Sequence, residues 1–328
     1  MRIPVRVTVI AAIGGIIAGA VSACSAAGPV PASAAVHPRS SATPARPAAS
    51  ASASTATGPA AAPLQVVGAP QGVKARGAVL ADAATGTVLW SRDSGTERPI
   101  GSITKVMTAL VVIEAGDLGR EIKVPAAVIP YVDKYEGNSA GLHPGDVLTT
   151  QHLLEAMLLP SGCDAAYTLA TAYGPGMPAF LAKMNATARQ LGMLHTYFTS
   201  PDGLPYPTEY STYSTPDDLL TLGLAAMKLP VFRAIVAQPF YQIHKGPGHH
   251  AYWWNNSNNL IGTYPGADGI KDGFTDAALH CLLFEATRGS LTLIGDVLGS
   301  PATGVASGAQ AAAKVLNWGF SLPRTRPG

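Results

Sequence analysis

The order of apolar and polar positions divides the chain into three stretches. Residues 7–21, VTVIAAIGGIIAGAV, are apolar or small throughout and carry no charge. Residues 25–65 are mostly Ala, Pro, Ser, Thr and Gly without apolar periodicity, so they cannot bury a core and read as a semi-extended spacer. From Gly77 the pattern becomes that of a globular domain. GAVLAD and TVLWSR, separated by AATG, predict two short strands joined by a turn. Ile103, Val106, Met107, Leu110 and Val111 keep the helical period, and Gly116 is a stop signal. Ser102 therefore falls at or just before a helix N-terminus.

Residues 120–150 read as irregular, with Pro, Gly and scattered short strands. Residues 151–159 predict a helix ended by Pro160. Ser161-Gly162-Cys163 reads as a turn, and residues 164–172 and 178–191 as two further helices. Thr215-Pro216-Asp217-Asp218 is a strong helix start, with a capping residue, a proline in the first position and acids in the first turn. Residues 240–244 alternate like a strand. After the polar NNSNN, residues 268–274, 277–286 and 290–298 predict consecutive antiparallel strands, and residues 303–320 a closing amphipathic helix. This order predicts an α+β domain whose two ends build one antiparallel sheet around a helical insertion.

Composition sharpens the ends of the chain. Residues 1–6 hold two arginines and no acid, and the apolar run behind them is shorter than the ~20 residues needed to span a bilayer. Residues 1–24 thus read as a signal peptide and the protein as exported. Val21-Ser22-Ala23-Cys24 resembles a bacterial lipobox, which would tether the protein to the membrane through Cys24; an ordinary cut after Ala23 or Ala34 is the alternative. The linker then spans 25–70, the folded domain 71–322 and a tail 323–328. Lys and Arg total 22 against 20 Asp and Glu, with no basic run, which argues against a nucleic-acid partner. Cys163 and Cys281 fall in the folded part. An oxidising compartment permits a disulfide, but spacing does not establish their proximity. No Cys/His cluster has zinc spacing, and the adjacent His249 and His250 would not share a helix face, so neither metal nor cofactor is expected.

Three segments carry candidate chemistry. A serine hydroxyl needs a base within hydrogen-bond reach. Ser102-Ile103-Thr104-Lys105 supplies an amine at i+3, on the same face of the first helical turn. A capping serine followed by a solvated lysine is the competing account. Ser161-Gly162-Cys163 follows about 60 residues later, in a turn between two apolar helices. Lys271-Asp272-Gly273 lies on a predicted strand about 110 residues further. Glycine beside a strand lysine lets a substrate backbone approach closely, and that lysine can act as a second cation.

In this order the segments resemble the S-x-x-K, S-x-N and K-T-G signature of penicillin-binding proteins and serine β-lactamases. GSITKVMTAL, LLPSGCDAAYTLA and GADGIKDGFTDAA, with NSAGLHPGDVLTTQHLLEAML and TSPDGLP, are similar to the low-molecular-weight D-alanyl-D-alanine carboxypeptidases, peptidase family S11. The resemblance runs from about residue 77 to 320 and implies the β-lactamase/DD-peptidase-like α+β fold. It further implies a peptidoglycan stem peptide ending in D-Ala-D-Ala as substrate and β-lactams as covalent inhibitors. Carried to matching positions, Ser102 is the nucleophile, Lys105 its base, Ser161 a proton relay and Lys271 an electrostatic anchor for the substrate. The backbone N–H groups of Ser102 and Phe274 form the oxyanion hole, beside Gly273.

Two positions depart from the pattern. Cys163 stands in place of asparagine, and a thiol is a weak hydrogen-bonding group. Asp272 stands in place of a threonine whose hydroxyl donates to the substrate carboxylate. An ionised aspartate repels a carboxylate, so either Thr275 takes over that role or the substrate preference differs. Two competing functions share the fold. A β-lactamase would need a deacylating glutamate, and Glu209 is the sole glutamate between Ser161 and Lys271. A non-catalytic or weakly active penicillin-binding protein is the other.

Overall fold

The computed structural model describes residues 68–301 and 307–323. The signal peptide, Cys24, nearly all of the linker and residues 324–328 of the tail lie outside the described residues. The chain opens with strands β1 (Gly77–Asp82), β2 (Val88–Arg92) and the two-residue β3 (Arg98–Pro99). A 3-10 turn, Gly101–Ile103, runs directly into helix α1 (Thr104–Glu114). The insertion then comprises β4 (Glu121–Lys123), α2 (Val128–Tyr135), β5 (Val147–Thr149), α3 (Thr150–Leu158), α4 (Cys163–Tyr173) and α5 (Met177–Gln190). It continues with β6 (Tyr213–Ser214), α6 (Pro216–Ala226), α7 (Pro230–Val236) and the hairpin β7 (Phe240–Ile243) and β8 (Tyr252–Asn255). Strands β9 (Ala267–Thr275), β10 (Leu279–Arg288) and β11 (Leu291–Ser300) and helix α8 (Ser307–Ser321) complete the domain.

The main sheet has the order β2-β1-β11-β10-β9. β1 pairs antiparallel with β11 from Gly77↔Leu298 to Asp82↔Leu293, so the two ends of the domain meet as the pattern predicts. Both faces are covered. Val79, Ala81, Leu283 and Ile294 face a core shared with the helices of the insertion, including Val106, Met107 and Leu110 of α1. Leu80, Leu282, Phe284 and Val297 face a second core with Ala312, Val315 and Leu316 of α8. Burial on two faces explains why β10 and β11 read as nearly unbroken apolar runs.

Three elements depart from the sequence reading. α2 lies in the stretch expected to be irregular. It carries Pro130 and buries only Val128, so its apolar period is weak. α7 begins at Pro230, a favoured first position. β8 pairs with β7 within a segment assigned no partner. The predicted start of α6 is as expected: Thr215 Oγ1 accepts from the Asp218 N–H at 3.2 Å.

A buried carboxyl at the heart of α3 gives the fold a pH dependence. Glu155 is 1% exposed and is held by Gln238 at 3.3 Å. Burial lifts it to about 7 from an ordinary 4.5, against the pull of hydrogen bonds from Gln238 and Gln151. Between those values the native state binds the proton more tightly than the unfolded chain, so stability falls as pH rises through the window. The expected contribution is about 3 kcal/mol. Denaturant unfolding at pH 4.5 and 7.5 checks it: Glu155→Gln should lose less stability between the two than the parent, whereas equal losses would assign the pH dependence elsewhere.

Candidate active site

The turn that begins α1 places Ser102 and Lys105 side by side. Lys105 is fully buried on the first helical turn, and its Nζ lies 2.8 Å from Ser102 Oγ. The same nitrogen donates to the Asp202 carbonyl at 3.0 Å and lies 3.4 Å from Cys163 Sγ. The solvated-lysine account is therefore excluded. Asp202 belongs to the TSPDGLP loop, which is laid against α1. Thr108 Oγ1 donates to the Pro201 carbonyl at 2.5 Å, and Tyr131 of α2 donates to Asp202 Oδ2 at 2.8 Å. Gly203 has φ +84°, and a Cβ there would fall 1.9 Å from the Gly101 carbonyl oxygen, so only glycine lets the loop sit this close.

The turn before α4 brings the second segment to the same lysine. Asp164 in the first turn of α4 organises the strip in front of it. Its carboxylate accepts from Ser139 Oγ at 2.7 Å and from the backbone of Ala140 and Leu142 at 2.9 and 3.0 Å. Cys163 is buried, and burial pushes its thiol up to about 12 despite the nearby Lys105 ammonium. It therefore stays a thiol at neutral pH, which argues against a cysteine nucleophile. Its S–H is directed to the Ser161 carbonyl at 3.9 Å. Ser161 is buried in the left-handed region, φ +67°, and its Oγ has no hydrogen-bond partner among the described residues. Strain and an unpaired buried hydroxyl at one residue are features that gather at functional sites.

Strand β9 forms the third wall. A Cβ on Gly273 would lie 2.4 Å from the Ile100 carbonyl oxygen and 3.1 Å from the Ser102 nitrogen. Reciprocally, a Cβ on Gly101 would lie 2.9 Å from the Phe274 nitrogen. Two glycines thus allow the backbone of Phe274 to lie against the turn that carries Ser102. Lys271 is 1% exposed, donates to Ser257 Oγ at 3.2 Å and pairs with Asp272. Burial holds its ammonium below the ordinary lysine range, and the Lys105 charge adds to this; Asp272 partly offsets both. Asp272 also accepts from Ser257 Oγ at 2.6 Å. Burial disfavours its charge, but Lys271 and Ser257 outweigh that and hold the carboxyl below the usual carboxylate range.

Residues 64–302 match the family model of the D-alanyl-D-alanine carboxypeptidases. The chain belongs to this family, peptidase family S11. A D-alanyl-D-alanine carboxypeptidase of Streptomyces sp. strain K15 is 39% identical over 249 residues, covering 72% of this chain and 84% of that one. The crystal structure of the Streptomyces K15 DD-transpeptidase superposes with a TM-score of 0.73 at 37% identity, over 78% of this chain and 100% of that one. A D-alanyl-D-alanine carboxypeptidase structure from Mycobacterium tuberculosis gives 0.70 at 34% identity, over 80% and 95%.

Family membership puts Cys163 in a different light. Solved variants of the K15 enzyme replace a serine and, two positions on, a cysteine, so the Ser-x-Cys spacing occurs in a relative as well. The remaining expected residues of this S11 chain divide. Gly273 and Phe274 line a groove together with Asp272 and Ser257. Thr275 Oγ1 accepts from the Ala278 N–H at 3.1 Å in the β9–β10 turn, which uses one acceptor site of the hydroxyl and not its O–H donor. Glu209 accepts from the Ala277 N–H at 3.4 Å in that same turn. Cys163 and Cys281 are both free thiols, so the disulfide alternative falls. Asp202, Tyr131 and Ser257 were not picked out from the sequence. Asp202 acts through a backbone carbonyl, which residue type does not reveal, and only the fold brings Ser257 to Lys271.

Proposed function

We propose that this family member removes the terminal D-alanine of peptidoglycan stem peptides through an acyl-enzyme on Ser102. The supporting observation is the 2.8 Å approach of the buried Lys105 Nζ to Ser102 Oγ. In the reactive state Lys105 is an amine. Its N–H groups suit the Asp202 carbonyl and the Cys163 sulfur, leaving the lone pair for the Ser102 hydroxyl proton. Ser102 Oγ attacks the penultimate D-Ala carbonyl carbon as that proton passes to Lys105 Nζ. Backbone N–H groups of Ser102 and Phe274 receive the developing oxyanion. The C–N bond then breaks, and the unpaired Ser161 hydroxyl passes a proton to the departing amine, recovering one from Lys105. Water next attacks the ester carbon, giving its proton to Lys105. Collapse releases the shortened peptide and returns the Ser102 hydroxyl. Lys271 supplies the field that favours anionic intermediates.

Such a substrate lies outside the cytoplasmic membrane, which agrees with the basic and apolar segment over residues 1–24. We further propose lipidation at Cys24, supported by the lipobox-like Val21-Ser22-Ala23 before it. The purified domain should release D-alanine from an acyl-D-Ala-D-Ala peptide, or D-alaninamide from its carboxamide, and should not cleave the L-Ala-L-Ala counterpart. Equal action on both stereoisomers, or none on either D-form, would contradict the reading.

A further inference from the structure

Asp272 precedes Gly273, whose backbone packs against Ser102, and it brings a negative charge to that edge of β9. A groove between the edge of β9 and the start of α8 is lined by Ser257, Asp272, Gly273, Phe274, His280 and Gly308, among others. No lysine or arginine lines it, and residues 302–306, which lie outside the described residues, are ATGVA and hold none. Lys271, the residue before Asp272 on β9, is 1% exposed. Asp272, by contrast, has 37% of its side chain exposed. The Lys271 ammonium and the Ser257 hydroxyl are both directed to Asp272 Oδ1. The Ser257 hydroxyl and the Lys271 ammonium are thus both engaged by a resident carboxylate.

We propose that Asp272 makes this subsite select a leaving residue whose carboxyl is amidated over one that ends in a free carboxylate. The inference rests on the acyl-transfer reading above and specifies its substrate class. A free carboxylate placed here meets a like charge a few ångströms away without an unpaired cation to offset it, at a cost of about 10- to 100-fold in kcat/KM. A carboxamide carries no charge, and its N–H groups can donate to the remaining acceptor capacity of Asp272. Asp272 is ionised at neutral pH because Lys271 and Ser257 stabilise its anion. An amidated leaving residue is one linked onward through its carboxyl. Removal of a terminal D-alanine is then the slower of two reactions of this site, and the faster is cleavage of an internal D-Ala bond, as in a peptide cross-bridge built from amino-acid residues.

The test compares N-acyl-D-Ala-D-Ala with its C-terminal carboxamide in the wild type, Asp272→Thr and Asp272→Asn. The readout is the ratio of the two kcat/KM values, which does not depend on the fraction of enzyme folded. The wild type should favour the amide by about 10-fold or more, and both variants should lower the ratio by at least that factor through faster use of the free acid. If neither peptide is turned over, the same ratio is read from their inhibition of penicillin acylation at Ser102. A wild type that prefers the free acid, with the ratio unmoved in both variants, overturns the inference and leaves the acyl-transfer function standing. Absence of any Ser102 adduct overturns the function itself, and the inference with it.

Discussion

With Lys105 replaced by alanine, D-alanine release should fall by about 1000-fold, the middle of the range that a positioned general base contributes. The geometry sets this expectation. Among the described residues, Lys105 Nζ is the side-chain nitrogen bonded to Ser102 Oγ, and it is fully buried, so bulk water cannot replace it readily. Alanine also removes a bond to the Asp202 carbonyl and leaves a space in the core, so some stability is lost as well. Lys105→Arg separates the two effects. Arginine keeps the charge and most of the volume but does not give up a proton in proteins, so it cannot serve as the base. Both variants should form the penicillin adduct at similarly reduced rates. An arginine variant within tenfold of the wild type would show that Lys105 acts by charge alone.

Ser102→Ala should remove acylation altogether and reduce turnover by at least about 10,000-fold, the scale at which a nucleophile is lost from a serine hydrolase. The fold should be little changed. Ser102 lies in a turn whose conformation is set by Gly101 at φ +51° and by the close approach of β9, and its hydroxyl bonds to Lys105 rather than to the frame of the domain. Peptide binding should survive while chemistry does not. Residual turnover that a thiol reagent abolishes would transfer the nucleophile to Cys163. The burial and raised pKa of that thiol argue against this outcome.

Much of this arrangement was legible before any coordinates. The helical period from Ile103 to Val111 placed Ser102 at a helix start, and i, i+3 spacing placed Lys105 beside it. The runs at 277–286 and 290–298 announced a buried sheet, and the chain order placed its two halves together. What stayed hidden depends on tertiary contact. α2 buries little and so leaves a faint period, yet its Tyr131 steadies the Asp202 loop. The Asp202 contact is made by a carbonyl that every residue possesses. The charge of Asp272 was evident, but not that Ser257 and Lys271 are both spent on it. Thr275, a candidate to replace the missing threonine hydroxyl, also accepts a backbone N–H in the β9–β10 turn, a contact that residue type does not reveal.

The most direct test of the account is the intact mass of the wild-type domain after exposure to benzylpenicillin, followed by peptide mapping. The account predicts one added penicilloyl group, carried on Ser102 and absent from Ser102→Ala. An adduct on any other residue, or an unmodified protein at saturating penicillin, would contradict it.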